Sequence, residues 1–363
     1  MKDRLLSLDV LRGLTIAGMI IVNNGVGGEP FIPLEHAEWN GLTPCDLVFP
    51  FFLFMVGVSI AFALGKFSPM AEEPQPKGAA IKKILVRTLK MFVIGLLLNA
   101  SGPLIKGTPV METLENLRIW GILQRIAICY CIASFIILYL KPKHLWKVIF
   151  ALLIIYGGIL IGCNGYAHDE SNIAAIIDQA IFGKAHLYTN DAIDPEGLLG
   201  LIACVAHTLI GVIVGFIIKD KEPLDKRLVR LFTLAVFMAI GGYLLHFGLP
   251  LNKRVWSPSY VFVTCGLAAS LLGAFTVLID IRCKKAWSTP FQWFGTNAIV
   301  LFVASGLLAR IVGIWKLPSK LYDVLVGWGL TPQWASLGYS LVFLGVMTLL
   351  AYAMYKKKVF IKL

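Results

Sequence analysis

Charge is scarce in this sequence. Asp, Glu, Lys and Arg make up 15% of its 363 residues and apolar side chains 58%, whereas a soluble domain carries about 25% charge. That balance excludes a water-soluble globule and predicts an integral membrane protein. The motifs of several enzyme classes are missing too. No glycine-rich phosphate loop follows a strand pattern, no pair of Cys or His motifs has metal-ligand spacing, and no G-x-S-x-G elbow occurs. ATPase, zinc-enzyme and serine-hydrolase readings therefore lose their support. Cys45, Cys129, Cys131, Cys163, Cys204, Cys265 and Cys283 fall mostly inside apolar runs, without the paired spacing of a disulfide framework, and read as small packing residues. The lack of a visible internal repeat argues against an inverted-repeat transporter plan.

Long apolar runs dominate what is there. They lie at 5–25, 45–66, 82–100, 120–140, 145–163, 197–218, 229–249, 257–280, 291–314 and 334–355, each able to cross about 30 Å of hydrocarbon. The expected fold is an all-α integral membrane protein, a polytopic bundle of about ten transmembrane helices, with residues 1–363 forming one domain. Lys2 and Arg4 before the first run imitate a signal peptide. Asp9 and Arg12 interrupt that run and no small-x-small cleavage site follows, so it is expected to remain as the first helix. Cations exceed anions, 33 against 21, and gather in alternate connections, among them Lys82, Lys83, Lys141, Lys143, Lys226, Arg227, Lys284, Lys285 and Lys356 to Lys358. The positive-inside rule then puts both termini in the cytoplasm. It also accounts for the basic excess without nucleic acid, for which no binding module is present. The acidic connection 164–196 is expected outside, with a short interfacial helix over 171–183.

The stretch HAEWNGLTPCDLVFPFF, residues 36–52, places titratable side chains at the mouth of an apolar run, where they are costly and by default point to function. Glycines and prolines in 26–44 forbid a continuous helix, so His36 is expected on irregular backbone bordering a cavity. An imidazole there suits a general base for an attacking amine, or a nucleophile that carries an acyl group itself. Asp46 can fix its tautomer by accepting from the other ring nitrogen. The plain alternative is a loop histidine at a wet helix end. On the first helix Asp9, Arg12 and Asn23 lie within about 60° of one another and span about 21 Å, although Asp9 and Arg12 also read as a local ion pair. Gln124 and Arg125 interrupt an apolar helix, which puts Arg125 inside the bundle, against Asp46, Glu196 or substrate. Glu196 is expected at a helix N-terminus, where a carboxylate meets the positive end of the dipole. His207 and His246 read as hydrogen-bonded structural residues.

Several segments carry a resemblance. RLLSLDVLRGLTIAGMIIVNNG leads into the His36 stretch, followed by RIWGILQRIAICY (118–130), DPEGLLG (194–200), LNKRVWSPSYV (251–261) and WFGTNAIV around Asn297. In order and spacing they resemble the heparan-α-glucosaminide N-acetyltransferases, within the transmembrane acyltransferases, whose pattern runs S-x-D-x-x-R-G, V-N, then H-A-x-W-N-G-L-T-x-x-D-L-V-F-P. The expected form lacks the amino-terminal lumenal domain of the animal enzymes. The resemblance implies acetyl transfer from cytosolic acetyl-CoA, a co-substrate, with no permanently bound cofactor, to the amine of a terminal glucosamine-type sugar beyond the membrane. It makes His36 the catalytic residue. Asp46 and Asn23 are taken with it, Arg12, Asp9 and Asn297 as donor-side candidates, and Trp39, Gln124, Arg125, Glu196 and Lys253 as acceptor-side candidates. Lys253, Arg254, Trp256 and Asn297 join through the resemblance alone; by themselves Lys253 reads as a solvated loop charge and Trp256 as an interfacial anchor. Expected partners are acetyl-CoA, an amino sugar or glycan, the lipid bilayer and, as an assembly, a homodimer. Two rival readings are an O-acetyltransferase of surface polysaccharide and a small-molecule transporter whose polar stripe lines a solute path.

Overall fold

A bilayer offers backbone groups no hydrogen-bond partner, so apolar runs of this length form helices. The computed structural model describes residues 5–27, 30–69, 71, 74–189 and 191–361; Lys2 and Arg4 lie outside them. Among the described residues there is no strand. The helices are α1 (Leu6–Val22), α2 (Val48–Leu64), α3 (Gly78–Ile105), α4 (Val110–Glu115), α5 (Ile122–Tyr139), α6 (Leu145–Gly162), α7 (Ile173–Phe182), α8 (Leu201–Lys219), α9 (Leu224–Leu245), α10 (Pro258–Phe275), α11 (Thr289–Thr296), α12 (Ala298–Ile314), α13 (Leu317–Gly327) and α14 (Pro332–Lys356).

Among the described residues eight helices are long and apolar enough to span a membrane, and α11 with α12 adds a ninth if the bent pair is one span. At 17 residues, α1 sits at the short end of spanning length, so the expectation of about ten agrees with the fold. The run at 291–314 is not one straight helix: the chain bends by 78° where α11 meets α12 at Asn297. The helix expected over 171–183 is α7.

The bundle has two layers. In α8, 78% of the apolar span is buried, against 22% in α3 and 28% in α9. Thus α1, α2, α5, α8 and α10 form the interior, while α3, α6, α9, α12 and α14 turn residues such as Leu89, Phe237 and Leu349 outward. Exposed apolar surface on this scale fits hydrocarbon, not water. Without a hydrophobic drive between helices in lipid, close packing must hold the interior, and small residues permit it. Gly57 and Gly211 let α2 meet α8: a Cβ on either would collide with the opposing backbone, at Thr208 and Phe54 respectively. Gly13 and Gly295 do the same for α1 and α11, where a Cβ would strike the carbonyls of Phe291 and Asp9.

Candidate functional site

The connection between α1 and α2 makes one short turn at Ile32–Leu34 and a second at Pro44–Leu47, which feeds directly into α2. Thr43 caps that second turn, and Asp46 reciprocates by accepting the Thr43 N–H at 3.2 Å and its hydroxyl at 3.1 Å on Oδ2. The Ala37 N–H also donates to Oδ2, at 3.1 Å. Held by three donors and 1% exposed, the Asp46 side chain aims Oδ1 at His36 Nδ1, 2.8 Å away. The Asp46 carbonyl accepts from the Tyr260 hydroxyl at 2.6 Å, tying the turn to α10. A carboxylate so placed selects the tautomer protonated on Nδ1 and leaves Nε2 as the acceptor.

Lys253 arrives from far along the chain. Its Nζ lies 3.0 Å from His36 Nδ1, 3.3 Å from Nε2 and 3.4 Å from Asp46 Oδ1. The turn that carries it is built on buried Asn252, which accepts the Val255 N–H and donates to Asn40, and Gly41 N–H bonds to the Leu251 carbonyl at 2.8 Å. Lys253 is therefore part of a three-residue cluster instead of a solvated loop charge. Trp256 is not an interfacial anchor either: it is 1% exposed and stands 5.4 Å from the Arg125 guanidinium. Cys45 completes the surroundings, with Sγ 3.1 Å from His36 Nδ1.

This cluster borders a cavity of about 350 Å³ that also receives Asn23, Trp39, Gln124 and Glu196. Trp39 is fixed by its Nε1–H to the Tyr166 carbonyl, 2.9 Å, and by stacking on His168 at 4.2 Å. Gln124 is 1% exposed and its Nε2 has no hydrogen-bond partner among the described residues, leaving a donor for a ligand oxygen. Glu196 does not open a helix, since α8 starts at Leu201; it accepts from Arg118 Nη2 at 2.6 Å. Arg118 also holds Asp194 through two bonds, 2.6 and 3.1 Å, and lies over the Tyr188 ring. Arg125 lies inside the bundle as expected, but makes no ion pair with Asp46 or Glu196. It is fully buried, donates to the Gly197 carbonyl at 3.0 Å and does not line the cavity.

A second cavity, about 340 Å³, receives Arg12, Arg87, Ser59 and Asn297. Arg12 donates to Ser59 Oγ at 2.8 Å and to Asp9 at 3.4 Å, so the local ion pair exists alongside a cavity position. Asp9 is buried and lines neither cavity. Asn297, at the α11–α12 bend, binds the Val359 carbonyl and the Ile361 N–H. The two cavities are stacked between the same four helices. Arg12 and Met19 of α1, Phe52 and Phe49 of α2, Arg87 and Gly95 of α3, and Ile299 and Phe302 of α12 line the second and first in turn. The polar stripe of α1 therefore ends in two different chambers, Arg12 in one and Asn23 in the other.

Sequence reasoning missed Arg118, Asn99, Tyr188 and Arg310, which line the first cavity. Arg118 was within reach, because it opens the Gln-Arg segment that runs through Gln124. Arg310, on an apolar helix, carried the same signal as Arg125.

A family model described as heparan-alpha-glucosaminide N-acetyltransferase, catalytic, matches residues 4–223. The chain is 27% identical over 425 residues to the heparan-alpha-glucosaminide N-acetyltransferase of Homo sapiens, covering 100% of this chain and 60% of that protein. It is 27% identical over 428 residues to the Mus musculus protein of the same name, covering 99% and 61%. The chain thus spans about three fifths of the length of these curated relatives. With a match over more than half its length, this multi-pass helical protein belongs to the heparan-alpha-glucosaminide N-acetyltransferase catalytic family.

Proposed function

We propose that this chain moves an acetyl group from acetyl-CoA to the amine of a glucosamine-type sugar across the membrane. The observation that carries the proposal is the stacking of two cavities between α1, α2, α3 and α12, with His36, Asp46 and Lys253 in one and Arg12 and Arg87 in the other. Cations suit the phosphates of the donor, and the first cavity, lined by Trp39, Gln124 and Glu196, suits a sugar. With the basic connections inside, the Arg12 cavity faces the cytosol and the His36 cavity the far side.

His36 Nε2 takes the proton of the amine as its nitrogen attacks the thioester carbonyl. The N–C bond forms, the C–S bond breaks, and CoA leaves as a thiolate that collects a proton. Asp46 holds the ring and stabilises the imidazolium. Asn23 lines the His36 cavity together with the amides of Gln124 and Asn99, whereas Asn297 lines the other cavity with its side-chain amide engaged at the C-terminal segment, so the developing oxyanion is assigned to Asn23 and not to Asn297. In the alternative sequence of events His36 attacks first and carries the acetyl group.

Purified protein given labelled acetyl-CoA and glucosamine is expected to yield N-acetylglucosamine and free thiol, with His36→Ala at least ~100-fold slower while still binding donor. Protein given acetyl-CoA without acceptor gains one labile acetyl group if His36 is a carrier and none if it is a base. Near-normal turnover by a folded His36→Ala protein would sink both versions, and an ester product would favour O-acetylation.

A further inference from the structure

Three open compartments, of about 520, 470 and 560 Å³, follow one another between α6 and α9. Adjacent compartments share lining residues, and Trp146 lines all three, so they form one groove floored by α8 and α10. None of the lining residues belongs to the two cavities of the candidate site. Lys66 and Asp46 stand at opposite ends of the span Pro44–Phe67, about 30 Å apart at 1.5 Å per residue. The groove's mouth is therefore at the end of the bundle away from His36.

The two ends of the groove differ in chemistry. The mouth gathers the exposed cations Lys66, Lys219, Lys221 and Arg230 around Trp146. Arg230 is matched by Asp220 at 2.8 Å and Glu222 at 3.2 Å, while Lys66 lies over its neighbour Phe67, 5.0 Å from the ring. Among the described residues the mouth holds four cations and two carboxylates, and Lys66 and Lys219 are the two cations nearest Gly65. Beyond Trp146 the lining is apolar: Phe150, Phe237, Leu245 and Phe262, with Phe150 packed 6.0 Å from Phe262. Gly241 forms a recess, since a Cβ there would meet nothing within 4 Å. From Arg230 to Leu245 the groove follows α9 for about 22 Å, whereas one leaflet of hydrocarbon is about 15 Å thick. A tryptophan between a cationic mouth and an apolar channel stands where headgroups meet acyl chains in a bilayer.

We propose that this groove binds one anionic phospholipid, its phosphate on Lys66 and Lys219 and an acyl chain running past Trp146 to Gly241. Charge complementarity selects the headgroup, because juxtaposed Lys and Arg between membrane helices attract anionic lipids. Length and apolar lining select a lipid chain over a soluble phosphate ester.

The test uses the full chain, delipidated in detergent and titrated with acyl-labelled fluorescent phosphatidylglycerol or phosphatidylcholine. Phosphatidylglycerol is expected to bind at least tenfold more tightly. Lys66→Gln and Lys219→Gln should each weaken it about fivefold and leave phosphatidylcholine unchanged. Gly241→Trp, which fills the recess, should weaken both lipids. Retention of the thermal transition shows that each variant is folded. Equal binding of the two lipids, or unchanged affinity in all three variants, overturns the proposal. So does full displacement of phosphatidylglycerol by millimolar inorganic phosphate or acetyl-CoA, which would assign the mouth to a free phosphate.

Discussion

Both oxygens of Asp46 are committed, Oδ2 to the backbone that shapes the His36 loop and Oδ1 to the imidazole and Lys253. One residue thus folds the turn and orients the imidazole, which is why the histidine can be half exposed and still have a defined direction. On the donor side, Arg12→Ala should raise the dissociation constant for acetyl-CoA and flatten its dependence on salt, since partly exposed ion pairs are screened. Equilibrium binding across a salt series checks this, and full affinity in the variant would remove Arg12 from the donor site. Asp178 offers a separate test on α7, outside the membrane spans. It is buried, with the Leu198 N–H 2.9 Å from Oδ1, and burial pushes its carboxyl up from 3.8 to about 6. Between those values the folded protein holds a proton that the unfolded chain has released, so stability falls as pH rises from about 4 to about 6 and stays lower above that. Asp178→Asn keeps the acceptor for Leu198 and removes the titration. Its melting temperature should vary less over that window than the parent's, with a gain on the order of 2 kcal/mol at pH 7. Parallel melting profiles would show that Asp178 does not titrate there.

At the scale of the element, α2 and α8 decide whether the site exists. α2 begins at the Asp46 turn and carries Phe49 and Phe52, one to each cavity. Its contact with α8 depends on Gly57, Gly211 and Gly215, whose missing side chains allow backbone-to-backbone approach. Gly57→Leu should force the two helices apart at a cost of about 1–3 kcal/mol, seen as a lower melting temperature together with slower acetyl transfer. A variant as stable and active as the parent would show that the approach is not needed. The α11–α12 bend is a second such element. Asn297 entered through the resemblance alone and was not legible as a hinge, because the glycine two residues before it, Gly295, is a helical packing residue against α1 and gives no sign of a break. It reads as one only once the side chain is seen bonded to Val359 and Ile361 at the far end of the chain.

For the whole molecule, the two chambers put donor and acceptor candidates at different depths of one bundle, and the reading requires the corresponding orientation. Single cysteines introduced at Ser171 and Lys357 are expected to label from opposite sides of sealed vesicles. Labelling of both from one side would reverse the assignment of the chambers or break the topology.

How much of this was legible follows from range. Hydrocarbon demands about 20 apolar residues per crossing and internal pairing of every backbone group, so the helices, their number and the irregular loop before α2 follow from local pattern. His36 and Asp46 are close enough in the chain for their pairing to be read from spacing. Helical phase says which residues share a face but not what that face meets. Asp9, Arg12 and Asn23 form one stripe by phase, yet packing against α2, α3 and α12 sends Arg12 and Asn23 to separate chambers and leaves Asp9 in neither. Lys253, 217 residues from His36, reaches the imidazole through the turn built on Asn252. Glu196 meets Arg118 instead of a helix end because the chain after Asp194 turns before α8 begins. Such meetings are decided by how whole helices pack, and no local pattern encodes them.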